Sequence, residues 1–241
     1  MAEPIRIQKA IANAGLMSRR AAEEAIRAGR IRVDGRLARL GDRVDVESQT
    51  LTLDGTPVPL DSTLETHLLY KPVGVVSTAK DPQGRTTVID LVQSSRRLYP
   101  VGRLDADSEG LILVSNDGEL THRVTHPRFG ITKTYLVVVR PPPKRATLRR
   151  LVAGVELDDG TARAVSAHMV DRAKDDALVD MVMVEGRNRE IRRMLAALGH
   201  EVRRLVRTAI GPIKDPKLKP GQSRLLSVSE VRQLLEGGKE I

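Results

Sequence analysis

The sequence predicts an α+β protein in two parts: a small helix-and-hairpin unit over residues 1–61, then a larger unit over 62–241 built on a mainly antiparallel sheet with flanking helices. Three observations lead there. The first 60 residues read as helix, helix and then hairpins; a polar, proline-marked stretch follows; and the remainder alternates β-rich runs with a few helical segments, without a long repeat. At 241 residues the chain can bury one large core or two smaller ones.

Ile7, Ile11 and Ala14 suit one face of a short helix, which Gly15 stops. Ser18 is placed to cap a second helix over Arg19 to Ala28, ended by Gly29. Ile31 and Val33 then alternate with polar residues, and Asp34-Gly35 supplies a tight hairpin turn. Asp54-Gly55, between Leu51/Leu53 and Val58, predicts another. Pro57, Pro59 and Asp61-Ser62-Thr63 read as the exit linker. In the larger part, His67 to Tyr70 reads as a strand running into Lys71-Pro72. A second strand, Leu111 to Val114, is ended by Asn116-Asp117-Gly118. Thr134 to Val139 and Val179 to Val184 are rich in β-branched residues, and Pro141-Pro142-Pro143 stops the first of them. Helices are expected over Lys144 to Ala153, over Arg189 to Leu198 (with Gly199 as stop), and over Ser229 to Glu236 with Ser229 as cap.

The net charge is +9, and its distribution matters more than its size. Met1 to Arg43 holds ten Lys/Arg against five Asp/Glu, and Arg187 to Arg207 holds seven Arg against two Glu. These two stretches carry more than the whole net charge, which points to a polyanion such as nucleic acid. They lack the aromatic residues that anchor interfacial helices, and no apolar run approaches the roughly 20 residues of a membrane span. The chain has no cysteine, which excludes disulfides, thiolate metal sites and thiol nucleophiles. No leader pattern is evident at Met1-Ala2-Glu3-Pro4, so a cytoplasmic protein is expected, with a monomer as the default.

Chemistry concentrates in Gly102-Arg103-Leu104-Asp105-Ala106-Asp107-Ser108-Glu109-Gly110. Three acids at alternate positions resemble the start of a calcium loop, but the twelfth position is Asn116 and apolar Leu111 to Val114 fills the later ones, so no metal is expected. Asp105 suits a catalytic carboxylate, a nucleophile or base, provided a cation such as Arg103 or an arginine of the basic stretch holds it ionised. The same residues also fit a turn in which Asp105 pairs with Arg103 on the surface. Tyr135, one of only four aromatic residues, fits either a core strand or a platform for an unstacked base.

Lys71-Pro72-Val73-Gly74-Val75-Val76-Ser77-Thr78, Gly102-Arg103-Leu104-Asp105, Leu111-Ile112-Leu113 with Asn116-Asp117-Gly118, His126-Pro127, Lys133-Thr134-Tyr135 and Glu185 to Met194 follow one another in this order. Together they resemble the RsuA/RluB family of ribosomal RNA pseudouridine synthases. Ser18-Arg19-Arg20 and Gly29 to Gly35 resemble an S4-type RNA-binding domain. The resemblance implies Asp105 as catalytic aspartate, Tyr135 as base-stacking tyrosine, Arg192 as active-site arginine and Leu205 as a wall of the uracil pocket. It further implies RNA contacts from Arg103, Arg187, Asn188, Arg189 and Arg193, and from Arg19, Arg20, Arg30 and Arg32 in the first unit. Ser108 stands where the family commonly has threonine, which keeps the hydroxyl. Uridine isomerisation requires no cofactor, so none is expected. The implied partner is ribosomal RNA or a pre-ribosomal particle, with 23S RNA favoured over 16S RNA. A ribosome-associated RNA-binding protein without catalysis is the reading from a different class.

Overall fold

The computed structural model describes residues 3–60 and 63–237. They form two compact units, Met1–Glu65 with Ser94–Leu98, and Thr66–Gln93 with Tyr99–Ile241. The boundary expected between residues 61 and 62 lies outside the described residues, as do Asp61 and Ser62 of the expected linker.

The first unit runs β1 (Ile5–Arg6), α1 (Ile7–Asn13), α2 (Arg19–Arg27), β2 (Ile31–Val33), β3 (Arg36–Leu37), β4 (Arg43–Val44), β5 (Leu51–Leu53) and β6 (Thr56–Pro57). Its local signals act as expected. The Ser18 hydroxyl accepts from Ala21 N at 3.1 Å and caps α2. Asp34-Gly35 and Asp54-Gly55 both take positive φ at both positions, which turns β2 into β3 and β5 into β6. Ile7, Ile11, Ile26, Ile31 and Leu51 meet in one core beneath the two helices.

The second unit runs β7 (Thr66–Lys71), β8 (Tyr99–Val101), β9 (Glu109–Ser115), α3 (Gly118–Thr125), β10 (Lys133–Arg140), α4 (Arg145–Ala153), β11 (Val155–Leu157), β12 (Gly160–Ala162), β13 (Ser166–Arg172), β14 (Ala177–Met183), α5 (Glu190–Ala197), β15 (Glu201–Ile210), β16 (Ile213–Lys214), β17 (Ser223–Leu225) and α6 (Val228–Glu236). Its main sheet has the order β13-β14-β10-β15-β9-β7-β17, with β8 added on β9 and β16 on β15. Every pairing in it is antiparallel except β9 with β15, which run parallel at Glu109↔Val206 and Gly110↔Arg207. β9 is buried along its whole length, the pattern of a central strand covered on both faces. Leu120 and Val124 of α3 and Leu234 of α6 pack with Leu111 and Leu113 to close one side.

Two expectations change here. Asn116-Asp117-Gly118 does not only end a strand: the Asp117 carboxylate accepts from Glu119 N at 2.8 Å and Leu120 N at 3.1 Å, which starts α3. The cap of α6 is Ser227, not Ser229; with Glu230 it forms a capping box, which sets the helix start at Val228. Within the basic stretch from Arg187 to Arg207, Gly199, at φ 81°, follows the end of α5 as expected and separates it from β15. Arg203, Arg204 and Arg207 therefore belong to a strand.

Candidate active site

The acidic loop of residues 102–108 joins β8 to β9 and is pinned from beneath by the segment that follows β7. Ser77 Oγ donates to Leu104 O at 2.8 Å and accepts from Leu104 N at 3.1 Å. Gly74, at φ 89°, donates its N–H to Ala106 O at 2.7 Å. Lys71 is fully buried, and its Nζ donates to Ser108 O at 2.7 Å and to Pro72 O at 2.9 Å. These three residues explain physically why the Lys71 to Thr78 segment accompanies the aspartate loop: it satisfies the loop's backbone and fixes its course. The sequence alone assigns none of the three a role, since nothing in spacing says which carbonyls they will meet.

Burial drives the Lys71 ammonium down to about 8, against the pull of Asp105, Asp107 and Glu109. An ordinary lysine in the unfolded chain holds its proton to about 10.5. Between these values folding releases a proton, so the contribution of Lys71 to stability rises with pH across about 8 to 10.5. In urea titrations the parent should therefore gain on Lys71→Met as pH is raised through that window, by up to about 3 kcal/mol. A constant difference between the two proteins would show that Lys71 keeps an ordinary proton affinity.

Asp105 and Asp107 project from this loop toward the start of α5. Asp105 is about a quarter exposed, with the Arg189 guanidinium 3.7 Å from its Oδ2. Asp107 receives Arg189 at 3.1 Å and Arg192 at 3.3 Å. Burial opposes ionisation of Asp107, yet the hydrogen bonds of Arg189 and the charges of both arginines outweigh it and hold the carboxyl below its ordinary range. Arg189 reaches the loop because it sits just before α5 in left-handed backbone, φ 48°. That conformation costs an L-residue about 1–2 kcal/mol, and here it aims the side chain at both carboxylates.

Arg192 reaches the second carboxylate of the loop. Its Nη1 donates to Val202 O at 3.0 Å and its Nη2 to Asp107 O at 3.1 Å, so it ties loop to β15 and faces Asp107 rather than Asp105. The cation beside Asp105 is Arg189.

A cavity of about 190 Å³ opens over Asp105, lined by Tyr135 and Leu205 and, around the rim, by Arg103, Arg187, Asn188 and Arg189. Tyr135 pairs with Arg207 across β10 and β15, and Val137 pairs with Leu205, so Tyr135 and Leu205 share a sheet face. Both are under a tenth exposed. Arg187 is also tied to Glu185 at 2.8 Å and to the carbonyls of Asp159, Gly160 and Thr161. Arg193 is away from the cavity, held bidentately by Asp159 at 2.8 and 2.9 Å. In the first unit Arg19 and Arg20 are exposed at the start of α2; Arg30 is paired with Asp54, and Arg32 donates to Gly35 O at 2.9 Å. No group of His, Asp or Glu among the described residues could hold a metal ion.

A carboxylate beside a fixed guanidinium, under a buried tyrosine and leucine in a base-sized cavity, is an arrangement for working on an unstacked base. The family model for RNA pseudouridylate synthase matches residues 65–197, and that for the S4 domain residues 5–49. The chain belongs to the RNA pseudouridylate synthase family. Its activity is that family's, isomerisation of uridine to pseudouridine in RNA. Among its relatives is an uncharacterized RNA pseudouridine synthase of Mycobacterium bovis, 45% identical with 98% of each chain covered. Another is the ribosomal large subunit pseudouridine synthase B of Bacillus subtilis, 39% identical over 95% of each chain. The crystal structure of a pseudouridylate synthase superposes with a TM-score of 0.68 at 28% identity, covering 95% of this chain and 99% of that one. No helix among the described residues of this synthase is long and apolar enough to cross a membrane.

Proposed function

We propose that this enzyme converts one uridine of 23S ribosomal RNA to pseudouridine, with Asp105 as the catalytic carboxylate. The observation that carries the reading is the convergence of Asp105, Tyr135 and Leu205 on one cavity with Arg189 3.7 Å from the carboxylate. Relatives such as that of Bacillus subtilis, named for the large ribosomal subunit, favour 23S over 16S RNA. Tyr135 stacks on the flipped base and Leu205 bounds it, while Arg189 orients the Asp105 carboxylate and Arg192 positions the loop through Asp107. Arg103, Arg187 and Asn188 contact the flanking RNA at the rim, with Arg193 on the adjoining face of α5. Residues 1–61 grip the RNA through Arg19, Arg20, Arg30 and Arg32, and residues 62–241 carry the chemistry. The working form is a cytoplasmic monomer on ribosomal RNA or a pre-ribosomal particle.

The test is pseudouridine mapping of both ribosomal RNAs, by carbodiimide modification and primer extension, in cells lacking the protein. Loss of one 23S site, restored by the parent but not by Asp105→Asn, is the expected result. A site lost from 16S RNA would move the target to the small subunit. Persistence of every pseudouridine in a strain without a redundant enzyme would overturn the reading.

A further inference from the structure

Beside the cavity over Asp105 lies a second and larger one of about 520 Å³. Arg103, Tyr135, Glu185, Gly186 and Arg187 line both and stand between them. Its walls differ in kind. Val124, Pro127 and Ile210 contribute apolar surface, and Lys133 and Arg207 join the two arginines in contributing charge, with Lys133 directly across from Ile210 in the β10–β15 pairing. The only carboxylate among its lining residues is Glu185, which Arg187 already holds at 2.8 Å.

Lys133 and Arg207 have no anion of their own among the described residues. Arg207 is 5% exposed; its Nε donates to Leu111 O, and its Nη2 is buried without a partner. Lys133 Nζ has one hydrogen bond, to Val184 O at 3.2 Å. Burial, and then the charge of Arg207, drive the Lys133 ammonium down to about 8. A buried arginine and a half-buried lysine side by side, with no carboxylate between them, destabilise the free protein, and an anion entering the cavity would relieve both. Apolar surface beside cationic groups complements a nucleotide, which has a base to bury and a phosphate to pair.

We propose that this second cavity seats the nucleotide adjoining the target uridine, with its phosphate on Lys133 and Arg207 and its base against Val124, Pro127 and Ile210. The inference rests on the reading of RNA as substrate given above. Drawing a uridine out of its stack carries the neighbouring backbone with it, and a seat for that neighbour offsets unstacking and fixes which uridine arrives over Asp105. Specificity for one uridine would then be read partly from the nucleotide beside it.

The test is steady-state kinetics on an RNA oligonucleotide spanning the modified uridine, with each phosphate near it replaced singly by an uncharged methylphosphonate. One position should raise KM about tenfold to a hundredfold while kcat changes little. Lys133→Met should raise KM for unmodified RNA by a similar factor and be indifferent to that methylphosphonate, because the partner charge is already gone. No sensitive position in the parent, or effects that multiply with Lys133→Met at every position, would overturn the assignment. So would Lys133-dependent binding of free uridine 5′-monophosphate that leaves KM for RNA unchanged, since the cavity would then serve a separate small molecule. Should Lys133→Met fail to fold, the scan on the parent decides alone. A parent that forms no pseudouridine in ribosomal RNA would overturn the substrate reading and this inference with it; pseudouridine formation without the coupling overturns this inference only.

Discussion

Asp105→Asn is expected to lower turnover by at least about 10⁴-fold, the scale on which enzymes lose rate when a nucleophile or base is removed. RNA affinity should stay within about threefold of the parent, since the substitution keeps shape and removes one charge from a site whose RNA contacts are cationic. The loop itself should not move. Its backbone is held by Ser77, Gly74 and Lys71, none of which touches the Asp105 carboxylate. Arg189 also keeps its bidentate partner, Asp107. Single-turnover measurement of pseudouridine formation, with RNA binding measured separately, checks both halves. Near-normal turnover would remove Asp105 from the chemistry, whereas lost binding with parent-like turnover at saturation would make it a binding residue.

Gly110→Ala is expected to have the largest effect on stability, about 3 kcal/mol or more. Gly110 stands at φ 108° where β9 meets β15, and an added Cβ would lie 2.6 Å from Arg207 N and closer still to its carbonyl oxygen. Those neighbours are backbone atoms of a buried residue and cannot turn aside as a side chain would. Gly221→Ala is the control: φ is 84° there too, but nothing lies within 4 Å, so only the conformational penalty of about 1–2 kcal/mol remains. Urea unfolding of both variants separates the two contributions. Equal losses would mean that β9 and β15 part easily to admit the methyl group. Since β9 continues directly from the Asp105 loop and β15 carries Leu205, Gly110→Ala should also depress activity in whatever fraction folds.

The residues that speak through local chemistry are the ones a reader of the chain can place. Ser18 caps a helix and Asp34-Gly35 turns a hairpin because hydrogen bonds and backbone sterics within about four residues decide those outcomes. Asp117 shows the edge of that legibility: the same aspartate serves a strand end or a helix start, and the packing of Leu120 and Val124 into the core favours the helix. The parallel contact of Gly110 with Arg207 left no trace in sequence, since the two residues are far apart in the chain and parallel pairing has no turn to announce it.

The candidate site divides in the same way. Asp105, Tyr135 and Leu205 were legible through their resemblance to a family, and the fold brings the three to one cavity. Sequence order does not sort the arginines, because position along α5 does not say which guanidinium reaches which carboxylate. The left-handed backbone of Arg189 turns that residue onto Asp105 and Asp107, while Arg192 is drawn to Val202 O and Asp107. By itself, then, the sequence determined the fold class, the helices and hairpins of the first unit and the cationic character, and its family resemblance singled out Asp105 as the carboxylate proposed for catalysis. Only the tertiary structure decided which cation faces Asp105, that a buried lysine and a serine hold its loop, and that a second cationic cavity adjoins it. Those features depend on groups up to about a hundred residues apart meeting in a low-dielectric interior, where burial and geometry set the strength of each pair.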